Sequence, residues 1–502
     1  MKLIKKIAAI MLSVMMVLGM ASVVSAAEGA GATSATGNGT ITINNAIPKQ
    51  TYKIYRILEL ESYNTTTRNY AYKATSAWKS FIVDREIQNV YVTINNDYVT
   101  WKEGAKAEDF AQKALKYAND NNLSVDKKET APDATPGETI STVTFSGLPL
   151  GYYLVDSSAG TICSLNTTAK DVTIQEKNGV PSVEKKVEED STNAWDDSNT
   201  ADIGQTVNFQ TTIKAQPGAQ NYVLHDKMSD GLTFSSIESV QTQNGNDVAA
   251  AKYTIKKSTD SPASISDECT FEITFDQSFC DTLGSNDQII VTYSATLNEN
   301  AVIAGNGNTN ETWLKYGDNN ETNHDTTTTK TYSIPVFKYT KDGANEKALE
   351  GAKFTLSKDE KGTNLIKLVS VSNNDTNGDI YRVAKENEAT GITKITEITT
   401  TKSGKFTIKG LDADTYYLTE TQQPAGYNKL STPIKVVIDG DGNITVGKDT
   451  TTPVTEVKVL NNTGTILPST GGNGTSLIYL LGAVLALVSG VVLITKQRMK
   501  NS

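Results

Sequence analysis

Histidine and cysteine are scarce in this chain, and each scarcity excludes something. His225 and His324 are the only imidazoles among 502 residues, too few for a metal centre built from several histidines. Three cysteines cannot all pair within one chain. Cys269 and Cys280 lie in one β-rich stretch, where they could bridge outside a cell or remain buried thiols; Cys163 has no evident mate. A basic surplus is missing too: 47 Lys and Arg face 57 Asp and Glu, a net charge of -10. That balance argues against nucleic acid as a partner and suits a solvated surface protein. No nucleophile-His-acid spacing, phosphate loop or metal cluster is found, so an enzyme is not expected and no cofactor is implied.

Two targeting segments lie at the ends. Residues 1–26 begin with Lys2, Lys5 and Lys6, continue through an apolar run and close on Val24-Ser25-Ala26. This is the pattern of a secretory signal peptide, with an N-terminal membrane anchor as the plainer alternative. Near the other end, residues 476–495 carry no charge. At helical rise they would cross a hydrocarbon core of about 30 Å. Lys496, Arg498 and Lys500 follow, which holds the tail in the cytoplasm and leaves nearly everything else outside. In front of the span stands Leu467-Pro468-Ser469-Thr470-Gly471, which a plain stop-transfer helix does not explain.

About 440 residues remain between these segments, enough for roughly three domains. Tyr (21) outnumbers Phe (11), and Thr and Val are frequent, which favours strands. A flexible Gly/Ala/Ser/Thr leader opens a first domain, 28–179. Its one helix lies in KAEDFAQKALKYAND, where Phe110, Ala111, Ala114, Leu115 and Ala118 share a face. A Gly-Val-Pro break leads into a second domain, 180–331, whose alternating segments TVNFQTTIKA, TFEITF and IIVTYSATL read as a β-sandwich. A third, 332–464, passes through AKFTLS, GKFTIKG, TYYLTET and IKVVID, and the sorting segment is 467–502. The expected fold is all-β, tandem immunoglobulin-like sandwiches with one short helix in the first. Asp439-Gly440-Asp441-Gly442-Asn443 resembles a calcium loop but lacks the twelfth-position glutamate, so a hairpin turn is expected.

Two opening strands place a lysine among core residues. In VEKKV, Val183, Lys185 and Val187 alternate onto one face; in PVFKYTKD, Phe337, Tyr339 and Lys341 do so. The plain reading is a long side chain snorkelling at a strand end. If buried, such an amine is pushed toward its neutral form, which is a nucleophile. In TYYLTET, Glu420 shares a face with Leu418, and carboxyls among apolar groups tend to keep their proton. The last strand puts Val457, Val459 and Asn461 on one face. An amine, an acid and a carboxamide in one dry place can form an isopeptide bond with loss of ammonia.

The segments KDGANEKALEGAKFTL, YYLTETQQPAGY and VLN resemble the collagen-adhesin B-type domains of Gram-positive surface proteins. That resemblance implies a bond between Lys341 and Asn461, with Glu420 as the catalytic acid and Asn462 as a neighbouring alternative. VEKKV, NYVLHDKMSDGLTF and GNTNETWLKY resemble the middle domain of sortase-assembled pilus shaft subunits. By that likeness Lys185 joins Asn310 with Asp226 as the acid, Lys186 and Asn308 standing beside them. GLPLGYYLVDS echoes the acid box with Asp156, but no bond is expected there.

Leu467, Pro468, Ser469, Thr470 and Gly471 match the L-P-x-T-G sorting signal. The resemblance implies sortase cleavage after Thr470 and transfer to a lysine of another copy or to peptidoglycan. In TIQEKNGVPSVEKKV, Lys177 is the implied intersubunit acceptor, with Lys170 and Lys185 as competitors. The partners implied are sortases, other copies, minor pilins, peptidoglycan and possible host-surface ligands. The expected product is a secreted, wall-attached shaft pilin, with an anchored monomeric or minor adhesin as the alternative.

Overall fold

A computed structural model describes residues 39–64, 69–134, 140–157, 171–176, 179–216, 219–260, 265, 267–317, 320–463 and 473–499. It divides into two compact units, Met1–Tyr332 with Lys385–Asn387 and Gly410–Asp412, and Ser333–Ala384 with Glu388–Lys409 and Ala413–Ser502.

In the first unit, residues 39–175 form two sheets. Gly39–Ala46 lies between Ser141–Leu148, antiparallel, and Asp171–Gln175, parallel. Thr51–Asn64 centres the other sheet, pairing with Asn69–Ala74, Lys127–Thr130 and Gly151–Ser157. Ile41, Ile43 and Phe145 pack with Tyr52, Ile54 and Val155 in one core. A second core gathers around the helix Ala107–Asp120, whose Phe110, Ala111, Ala114, Leu115 and Ala118 are all buried, as the helical spacing predicts; it is not the one helix expected, since the short helices Lys79–Ile82 and Arg85–Val90 add Phe81, Ile82 and Ile87 to that core.

Residues 182–330 build a sandwich of two sheets. One has the order Ala194–Asp196, Ser182–Glu189, Thr206–Lys214, Gln288–Leu297, Leu232–Thr242. The other contains Val223–Met228 and Asn308–Tyr316 as antiparallel neighbours, with Asp325–Lys330 beyond them. Alternation drives these strands: Val207, Phe209, Thr211 and Ile213 point inward along Thr206–Lys214, each buried. Cys269 and Cys280 are buried free thiols and form no bridge; Cys163 lies outside the described residues.

The second unit repeats the sandwich plan. Its opening strand Tyr332–Asp342 pairs in parallel with the closing strand Val457–Leu460, Lys338 opposite Val459. The facing sheet runs Ile398–Thr399, Lys353–Ser357, Thr415–Gln422, Ile434–Ile438, Ile444–Val446, Asp449–Val454. Asp439 to Asn443 form the turn of the hairpin between Ile434–Ile438 and Ile444–Val446, as the missing glutamate suggests. The architecture is therefore all-β, in tandem sandwiches. Beyond it, Asn473–Arg498 is one helix, and its stretch Ile478–Gln497, with mean hydropathy 2.5, is long and apolar enough to cross a membrane.

Candidate functional site

Each unit holds a lysine, an acid and an asparagine together in a dry core. In the first, the strand Ser182–Glu189 turns Lys185 inward beside Val187, and Lys185 is 0% exposed. Its amine donates to Asp226 Oδ2 at 2.6 Å and contacts the Tyr293 hydroxyl, which also bonds Asp226. Asn310 Nδ2 donates to Tyr293 Oη at 3.4 Å, and Thr211 Oγ1 lies 3.4 Å from the same oxygen. Asp226, Tyr293 and Asn310 are each fully buried. Phe209 lines the floor, its ring centroid 5.4 Å from the Lys185 nitrogen.

Burial pushes the Lys185 amine down and the Asp226 carboxyl up, and their mutual attraction only opposes this. Both groups are driven toward their uncharged forms. Tyr293 is held well above the usual phenol range by burial and then by the neighbouring Asp226. Asp226 Oδ1 and Asn310 Oδ1 have no hydrogen-bond partner. Bare acceptors in a core are costly, and a proton on the carboxyl supplies the missing donor. The adjacent candidates are engaged elsewhere: Lys186 bonds Asp197 at 2.6 Å, and the Asn308 amide is satisfied by Val302 and Thr329.

In the second unit the lysine is not the one expected. Lys341 is exposed in the hairpin with Asn345–Ala348, opposite Glu346. Lys338 is the buried one, 0% exposed. The strand's inward parity is Tyr332, Ile334, Val336, Lys338, and Phe337, on which the other parity rests, is only half-buried. Lys338 Nζ contacts Asn461 Oδ1 and lies 3.1 Å from Glu420 Oε1, which also accepts from Asn461 Nδ2 at 2.9 Å. The other Glu420 oxygen accepts from the Leu430 backbone N–H at 2.8 Å. Burial pushes the Lys338 amine down, opposed by Glu420. Gly404, at φ 66°, accepts from the Lys338 N–H at 2.7 Å; a Cβ there would collide with the Lys338 carbonyl. Asn462 is exposed, whereas Asn461 is buried.

Two residues of these clusters thus lie outside what the sequence led us to expect. Lys338 has a signal in the period-two run Ile334-Val336-Lys338, the same parity as Val183-Lys185-Val187. Tyr293 has one in IIVTYSATL, where Ile289, Val291, Tyr293 and Ala295 share the buried face, and a buried phenol needs a polar partner. Asp156 is buried and pairs with Lys53 at 4.0 Å. Lys177 and residues 467–471 lie outside the described residues.

Compared with known proteins, residues 336–452 match the family SpaA, a prealbumin-like fold domain. No curated protein matches the chain. Among solved structures, the T6 backbone pilin of serotype M6 Streptococcus pyogenes is 17% identical with a TM-score of 0.46, over 80% of each chain. The group B streptococcus pilus 2b backbone protein is 26% identical with a TM-score of 0.39, over 57% of this chain and 99% of that one. The Corynebacterium diphtheriae major pilin SpaA, whose structure points to a modular pilus assembly with stabilising isopeptide bonds, is 13% identical with a TM-score of 0.43, over 84% of this chain and 99% of that one.

Proposed function

We propose that this chain is the repeating shaft subunit of a covalently polymerised cell-surface pilus. The observation that carries the reading is the recurrence, in both units, of a buried lysine beside a buried acid and a buried asparagine. In each cluster the neutral Nζ attacks the asparagine Cγ, forming an Nζ–Cγ bond. The carboxyl, which contacts Nζ in each cluster, relays a proton from Nζ to Nδ2; the Cγ–Nδ2 bond breaks and ammonia leaves. Lys185 joins Asn310 with Asp226 as acid, and Lys338 joins Asn461 with Glu420 as acid. No oxidant or cofactor enters the balance, and each site acts once.

The modules implied are 28–179, 180–331 and 332–464. The sorting signal supplies the link between copies. A sortase cleaves between Thr470 and Gly471, holds the Thr470 carboxyl as an acyl-enzyme, and passes it to Lys177 of the next subunit. The final copy goes to peptidoglycan, and minor pilins join the same system. The Ile478–Gln497 helix keeps the signal beside the enzyme until cleavage. Tension then enters at Lys177 and leaves at Thr470, and the internal bonds carry it past ladders whose hydrogen bonds each contribute only about 1 kcal/mol.

Immunoblotting of wall extracts tests the assembly. A high-mass ladder that collapses with Lys177→Ala is expected; a single band shows an anchored monomer instead. Intact mass tests the internal bonds. A shortfall of two ammonia molecules is expected, about 17 Da each, and an unmodified mass overturns them.

A further inference from the structure

A separate cluster in the first unit contributes nothing to the chemistry above. His225 follows Leu224 on the strand Val223–Met228, and Cys269 and Asp267 stand just before Phe271–Phe275, which pairs with it. One ligand atom from each of His225, Asp267 and Cys269 lies within 4.8 Å of the other two. We propose that these three side chains form a binding site for a thiophilic divalent cation of the zinc class.

The donor set carries the argument. Imidazole, carboxylate and thiolate are the ligands that a borderline-soft cation selects, and tetrahedral zinc sites place ligand atoms about 3.5 Å apart. His225 is 2% exposed, and its Nε2 has no hydrogen-bond partner. Its Nδ1 lies 3.0 Å from Asp267 Oδ2, an ion-pair contact at the edge of the cluster. A buried imidazole whose one polar contact is a carboxylate at Nδ1 keeps part of its desolvation cost, which a metal bond offsets. One face of the ring is fixed by stacking on Trp313, centroids 5.2 Å apart, so the ring edge is already oriented. Asp267 is about a quarter exposed and gives the site its access to solvent.

Asp267 already attracts a cation: Lys315 Nζ sits 2.7 Å from Oδ2. That lysine side chain is 38% exposed and can withdraw into water. Metal entry displaces it and releases the Cys269 proton, so one divalent charge meets one carboxylate and one thiolate. Such a one-histidine, mixed-donor site differs in kind from the multi-histidine centres that the composition excludes.

The test is a cobalt titration of the full-length chain in mild detergent under reducing conditions. One cobalt per chain with a thiolate-to-metal charge-transfer band is expected, displaced by zinc. Cys269→Ser abolishes the band, His225→Gln weakens binding at least tenfold, and Lys315→Ala tightens it several-fold by removing the competing ammonium. Circular dichroism confirms that each variant is folded. No band in either the wild type or Lys315→Ala overturns the site, as does a band that survives Cys269→Ser.

Discussion

The two clusters bring the same three kinds of group together in opposite layouts. In the first unit the acid and the amide share a sheet, on Val223–Met228 and Asn308–Tyr316, and the amine reaches across the sandwich from the other. In the second, the amine and the amide belong to adjacent parallel strands of one sheet, and the acid reaches across. The supporting groups differ as well. A tyrosine hydroxyl ties Asp226 to both partners, whereas Glu420 is steadied by the Leu430 backbone N–H. What the clusters share is dryness and the meeting of three groups, which a sandwich core can arrange from either side.

The largest effects come from removing either acid. Asp226→Ala should restore about 17 Da in the first unit only, and Glu420→Ala the same in the second only. Each cross-link lost would release a long loop, with a sequence separation of 123 from Lys338 to Asn461. The chain-entropy account puts that loss at about 5 kcal/mol per unit, readable by calorimetry. A mass shift in the wrong unit, located by digestion, breaks the comparison.

Next is pH. The Lys185 amine is pushed down and the Asp226 carboxyl up, so the reactive pair has the amine bare and the acid protonated. Falling pH loads Nζ and rising pH strips the carboxyl. Refolding a Lys338→Ala chain across a pH series should therefore give a bell-shaped yield of the first bond, measured by mass; a yield that rises steadily with pH rejects this role for Asp226.

Tyr293→Phe sharpens the contrast further. It should slow the first bond at least about tenfold and leave the second untouched, followed by mass against time after refolding. Equal rates in the two units would reduce Tyr293 to packing. The smallest effect belongs to Lys341→Ala: an exposed substitution, it should leave the second bond intact and stability within about 0.5 kcal/mol, while Lys338→Ala abolishes the bond.

Much of this is legible in the residues themselves, for physical reasons. Strand alternation puts Lys185 with Val187, and Glu420 with Leu418, on shared faces, and all four are buried. The helical face at Phe110 is equally plain, because five small or apolar residues repeat at helical spacing. Lys341 fails because aromatics on a strand can lie half-exposed. Phe337 does so, stacked on Tyr339 at 5.5 Å, so the aromatic parity leads away from the core lysine. The role of the Tyr293 hydroxyl is hidden for a different reason. Its partners come from four other strands, and no local pattern records which polar groups meet across a core.

On the proposed reading, the position of Asn310 would set how far a pulled subunit can stretch. Asn461 stands immediately after its closing strand, Val457–Leu460, so a weld there leaves no slack. Asn310 is followed by the rest of Asn308–Tyr316 and by Asp325–Lys330, which zips antiparallel against it. Once Lys185 and Asn310 are joined, that hairpin stays in series with the force. Peeling open its roughly 20 residues would release on the order of 70 Å at about 3.4 Å per residue. A fibre of such copies would then have a built-in shock absorber, confined to one module of each repeat and re-zipped when the strain relaxes.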